Sequence, residues 1–166
     1  MPSPWVVRWA NELAAGAPVL DVASGAGRHA RFLADRPCAV TAVDRDATLI
    51  GELAGVAGVA TLVADLEAEP WPLPGRRFAG VVVTNYLHRP LLPALVDAVE
   101  PGGVLIYETF AAGNERFGRP SNPDFLLQPG ELLELVHGRM RVLAYEDVFD
   151  PVPQPRMVQR ICARKL

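Results

Sequence analysis

The chain has 166 residues, half of them apolar, and a formal net charge of -3. One domain over 1–166 with a sizeable core is expected, and the scattered basic residues leave no footprint of a nucleic-acid binder. No apolar run reaches bilayer length and the first residues lack a basic head before an apolar stretch, so a cytoplasmic protein with no membrane partner is expected.

Cys38 and Cys162 stand apart, without CxxC spacing or nearby His, which predicts core thiols and neither a metal site nor a disulfide framework. Apolar residues at 6, 9, 10, 13 and 14 predict a helix over 5–14, closed by Gly16. Pro18 to Val22 is a continuous apolar run around one acid, Asp21, of the kind that forms a strand buried on both faces. It runs into Ala23-Ser24-Gly25-Ala26-Gly27, where glycine lets a ligand approach the backbone, and a helix is predicted from Arg28 to Ala34.

Small and β-branched residues from Ala39 to Val43 predict a second strand that stops on Asp44. Asp46 is placed to cap a short helix closed by Gly55 and Gly58. Val59 to Ala64 is a third strand and also ends on an acid, Asp65. A proline-rich connector from Pro70 to Gly75 leads into a fourth, Phe78 to Thr84, with a Val81-Val82-Val83 centre.

A helix over 90–99 and the Pro101-Gly102-Gly103 turn precede a fifth strand, 104–108. Periodicity is then lost until Gln128, and a long irregular segment in a compact domain is a functional lid or disordered. It carries Arg116, Phe117, Arg119, Asn122 and Phe125. A helix over 129–136 and two strands, about 140–147 and 156–163, complete the chain. The link between those strands is too short for a crossover, so they should pair antiparallel. The pattern predicts an α/β fold, a Rossmann-like three-layer sandwich. Its seven-stranded sheet is mainly parallel, with one antiparallel strand in the C-terminal hairpin.

Gly25-Ala26-Gly27-Arg28-His29-Ala30 also satisfies GxGxxG/A, and Asp44 lies about 20 residues on, where an acid binds ribose hydroxyls. A dinucleotide-dependent oxidoreductase therefore has to be weighed. Asp21 argues against it, because a carboxylate just before the turn opposes a pyrophosphate. It suits a cofactor that presents an ammonium there.

Val19 to Gly27 resembles motif I of the class I S-adenosylmethionine-dependent methyltransferases, and the similarity runs on through Asp44, Ala64-Asp65, Asn85 and Pro101-Gly102-Gly103. The Gly-x-Gly-Arg-His turn is similar to that of the small bacterial tellurite-resistance type. Ala23 departs from the motif, which has its first glycine there. The resemblance implies S-adenosyl-L-methionine as cofactor. Asp21, Ala23, Ser24, Gly25 and Gly27 would sit at its methionine end, Asp44 at the ribose, Arg45, Asp65 and Leu66 at the adenine, and Asn85 near the methyl group.

In-line methyl transfer is mainly positioning, which supplies roughly 7 to 11 kcal/mol, so a base is optional. If one is used, Tyr86, His88 and Glu108 are candidates, at the carboxyl ends of the fourth and fifth strands. The cations and aromatics of the irregular segment suit a small-molecule acceptor with an anionic part. A module that binds cofactor without catalysis is the alternative within the same fold. The sequence does not set the oligomeric state.

Overall fold

The computed structural model describes residues Met1–Leu166. Twelve elements follow in chain order: α1 (Pro4–Trp9), β1 (Pro18–Val22), α2 (Arg28–Asp35), β2 (Ala39–Asp44), α3 (Ala47–Gly51), β3 (Val59–Val63), β4 (Phe78–Thr84), α4 (Leu92–Asp97), β5 (Val99–Phe110), α5 (Glu131–Val136), β6 (Met140–Asp150) and β7 (Arg156–Lys165). The strands form one sheet in the order β3-β2-β1-β4-β5-β7-β6. Neighbours from β3 to β5 pair parallel, and β7 runs antiparallel to both β5 and β6. The fold is the expected Rossmann-like sandwich, and β7 is its one reversed strand.

Two apolar layers flank the sheet. Leu20, Val22, Val81, Val83, Leu105 and Tyr107 point to the face covered by α4 and α5. Val19, Val82, Val104 and Ile106 point to the face covered by α1, α2 and α3. The period of two along each central strand sends alternate residues to opposite cores. Cys38 and Cys162 are both free and buried. No helix is long and apolar enough to cross a membrane.

Several elements depart from the sequence reading. The first helix stops at Trp9 and tightens into a 3-10 turn, Ala10–Glu12, because Leu13 is already extended. The helix capped by Asp46 ends at Gly51, short of Gly55. The connector from β3 to β4 carries no helix, in keeping with its expected proline-rich character, since prolines remove the donors that a helix would need. The fifth strand is longer than expected, Val99–Phe110, with a register shift that accommodates the Pro101-Gly102-Gly103 turn. A side chain on Gly103 would collide with the carbonyls of Ala79, Glu100 and Phe78.

The irregular segment is ordered by backbone and side-chain bonds. Ala111 and Leu127 bridge, with Ala112 N–H donating to Leu127 O and Leu127 N–H to Phe110 O. Asn114 is buried, its amide donating to Pro120 O at 2.9 Å and its carbonyl accepting from Met157 N–H at 3.0 Å. Arg89 reaches over to hold the far end of the loop. It makes a two-pronged pair with Glu131 (2.7 and 3.1 Å) and donates to Asp124 O and Leu126 O.

Candidate active site

β1 ends at Val22, and the chain turns through three left-handed residues, Ala23 (φ 52), Gly25 (φ 55) and Gly27 (φ 79). The two glycines serve different purposes. A β-carbon on Gly25 would meet nothing within 4 Å, so that side of the turn is open, whereas one on Gly27 would run into Leu53. Gly27 therefore lets the start of α2 pack against Leu53, in the turn that follows α3. Ala23 adopts the left-handed form at a cost of roughly 1 to 2 kcal/mol, at the position where the resembled motif has glycine.

The turn is fastened by the neighbouring strand. Ser24 N–H donates to Val43 O at 3.0 Å. Gly25 N–H donates to Asp44 Oδ2 and Asp46 N–H to Asp44 Oδ1, both at 2.8 Å. Asp44 thus organises the loop through one lone pair on each oxygen, leaving the others for a ligand. Asp65 caps the turn after β3 through Oδ1, which accepts from Glu67 and Ala68 N–H, and its Oδ2 has no protein donor.

Asp21 lies deeper than a residue at the strand mouth. It is only 1% exposed, and its Oδ2 is buried without a partner. Burial pushes its pKa up to about 7, against the pull of the Ala30 backbone and the Arg28 charge. A carboxyl oxygen buried without a partner beneath a glycine turn carries an unmet desolvation cost.

Two adjoining cavities open at this edge of the sheet. The first, about 460 Å³, is lined by Ala23, Asp44, Arg45, Asp65, Leu66 and Asn85 of the expected cofactor residues, and also by Tyr86. Asp21, Ser24, Gly25 and Gly27 do not line it; they flank Ala23, which does. The second, about 630 Å³, shares Asn85 and Phe110 with the first and extends past Glu108 to the loop and the β6–β7 link. Asn85, left-handed at φ 53, sits where the two meet.

The three candidates for proton transfer are not brought together. Tyr86 lines the first cavity only, and its hydroxyl donates to Glu67 at 3.4 Å. Burial and the Glu67 charge drive its pKa far above the usual phenol value, so it keeps its proton. His88 lines neither cavity and stands 3.9 Å from Glu67. Glu108 lines the second cavity, but its oxygens accept from Ser3 Oγ at 2.7 Å and from Arg160 at 2.8 Å.

Sequence reasoning missed the partners in that cluster. Ser3 also donates its N–H to His29 Nε2 at 3.0 Å, which clamps residues 1–4 into the cavity wall. Burial and the Arg28 charge lower the His29 pKa to about 4, so it is a neutral acceptor there. Arg160 pairs with Glu108, Glu146 and Asp150, and Arg156 with Asp150. Glu108 faces Arg160 in the antiparallel register of β5 and β7, and only that register could have revealed the pair.

Comparison with known proteins agrees with this architecture. Aligned structures include TehB from Haemophilus influenzae, with a TM-score of 0.82 at 19% identity over 99% of this chain. The alignment spans only 63% of the TehB chain. An S-adenosylmethionine-dependent methyltransferase from Mesorhizobium loti aligns with a TM-score of 0.75 at 14% identity, over 98% of this chain and 99% of the other. The [4+2]-cyclase SpnF aligns at 0.74 and 16% identity, over 96% and 79%, so the fold alone does not fix the chemistry. No curated protein sequence matches the chain significantly. A family model described as "Methyltransferase domain" matches residues 19–103, over half of the chain, from β1 through the glycine turn before the main run of β5, and the chain belongs to that methyltransferase family.

Proposed function

We propose that the protein is an S-adenosylmethionine-dependent methyltransferase acting on a small-molecule acceptor that carries an anionic group. The observation that carries this reading is the pair of cavities meeting at Asn85 and Phe110, one edged by strand-end carboxylates and one by arginines. The donor set fits the cofactor. Asp21 Oδ2, buried and orphaned, meets the ammonium; the free lone pairs of Asp44 accept from the ribose hydroxyls; Asp65 Oδ2 accepts from the adenine amino group. Arg45 and Leu66 border the ring, and Tyr86 closes the cavity with a phenol that stays protonated.

When bound, S-adenosylmethionine supplies an electrophilic methyl group on a sulfonium. The chain's part is to orient it and the acceptor and to exclude water, which is the larger share of such a reaction's barrier reduction. Asn85, shared by both cavities, is the residue beside which methyl carbon and acceptor meet. The unpaired charge of Asp21 disfavours the pyrophosphate that an oxidoreductase of the same fold would seat at α2. TehB and the Mesorhizobium protein support the reading as relatives in fold.

Calorimetric titration with S-adenosylmethionine, S-adenosylhomocysteine and NADH tests it. Binding of the first two is expected; affinity for NADH alone would sink the reading. Release of S-adenosylhomocysteine with an acceptor separates an enzyme from a module that only holds the cofactor.

A further inference from the structure

The second cavity has a chemical bias that the fold does not require. Its carboxylates are both engaged. Glu108 is held between a hydroxyl and a guanidinium. Asp150 is partly buried, which works against its charge, yet the Val152 N–H, the Arg156 guanidinium and the Arg160 charge hold its carboxyl below the usual value. His29 has both ring nitrogens occupied, by Ser3 N–H and by Thr84 Oγ1 at 3.2 Å. Ser3 Oγ is committed to Glu108, and the Asn114 amide to Pro120 and Met157. No carboxylate lining the cavity is a free proton acceptor, and no imidazole lines it.

Two of its four arginines are in the opposite condition. Arg28 and Arg119 line the cavity from two sides, one at the start of α2 and one on the loop, and neither forms an ion pair. Phe110 and Phe117 add apolar wall to the same cavity. A space with unpaired guanidinium groups and no free carboxylate or imidazole stabilises a bound anion and gives a bound alcohol or ammonium no such side chain to take its proton.

We infer that the acceptor's attacking atom is already an anion when it binds, a carboxylate or thiolate on a small ring-bearing molecule, and that Arg119 selects it. This rests on the methyltransferase reading above. The acceptor's electron pair forms the new bond to the methyl carbon, the carbon–sulfur bond breaks with its pair going to sulfur, and positive and negative charge are discharged together. No proton has to leave, so the missing base costs nothing. Arg28 stands nearer the glycine turn, where it can also meet the cofactor's carboxylate, so Arg119 is the residue that separates the two roles.

The test is calorimetric binding of benzoate and benzamide to the full chain loaded with S-adenosylhomocysteine. Benzoate is expected to bind at least tenfold more tightly than benzamide, Arg119→Gln to abolish that preference, and Arg119→Lys to restore most of it. S-adenosylhomocysteine affinity should be the same in all three proteins. Equal affinity for the two probes, or binding of neither, overturns the inference. In turnover, benzoate and thiophenolate are expected to be methylated and aniline and benzyl alcohol not; preference for the neutral pair overturns it, and if none turns over, the binding ratio decides alone. Failure of S-adenosylhomocysteine itself to bind would instead remove the underlying function.

Discussion

A carboxylate that is buried and unpaired responds to pH and to ligand together. With its pKa raised to about 7, Asp21 is part-protonated near neutrality, and only the ionised form can pair with an ammonium. Cofactor affinity is expected to increase as pH rises through about 7, by up to tenfold per unit below it, with uptake of the ligand releasing a proton. Calorimetry in buffers of different ionisation enthalpy reads that proton directly; no buffer dependence would show that Asp21 is ionised beforehand. Asp44→Ala removes the ribose acceptor and the tie to Gly25 N–H. Loss of hydrogen bonds to a charged group, about 1.5–3 kcal/mol, should weaken S-adenosylhomocysteine roughly 10- to 100-fold by titration. Ala23→Gly should relieve the left-handed strain, offset in part by unfolded-state entropy, and raise stability by about 0.5–1 kcal/mol in urea unfolding.

At the level of elements, the 113–128 loop is the part that fold and function share. Its Pro120 and Phe125 wall the first cavity while Phe117 and Arg119 wall the second. Arg89 holds it through Glu131 and two loop carbonyls, and Leu126 and Leu127 bury its far end. Arg89→Ala is expected to cost about 1–2 kcal/mol, the pair being partly solvated. Amide exchange should quicken over residues 124–127 and stay slow in β4 and β5; unchanged exchange would mean that the buried leucines alone hold the loop. How much of this could be read from the chain follows from the range of each interaction. Phe78–Thr84 and Ala39–Asp44 were legible because β-branched runs and terminal acids are local signals. So were the strand-end carboxylates Asp44 and Asp65. The burial of Asp21, the Glu108–Arg160 pair and the Ser3 clamp depend on which strands become neighbours, and local pattern does not carry that. Helix ends were misjudged where short helices tighten or stop early, as at Trp9 and Gly51.

For the whole molecule, two buried titratable groups on the α2 side of the sheet, Asp21 and His29, oppose each other. Asp21 has its pKa raised from 3.8 to about 7, so the native state holds a proton that the unfolded chain has lost; stability from this source is present in acid and declines as pH rises across that interval. His29 has its pKa lowered from 6.5 to about 4, so the unfolded chain takes up a proton first; its contribution is present above 6.5 and declines as pH falls toward 4. The intervals overlap between about 4 and 6.5, where each changes stability by about 1.4 kcal/mol per pH unit in opposite directions. The native and unfolded chains then carry nearly equal charge from this pair, and its contribution to stability is nearly flat. Asp21→Asn removes one side of the balance. Its unfolding free energy in urea should therefore climb by about 3 kcal/mol from pH about 4 to about 6.5, while the parent protein changes far less over the same interval. Parallel curves for the two proteins would mean that Asp21 does not hold a proton in the native state, and the case for its pairing with an ammonium would lose its charge coupling.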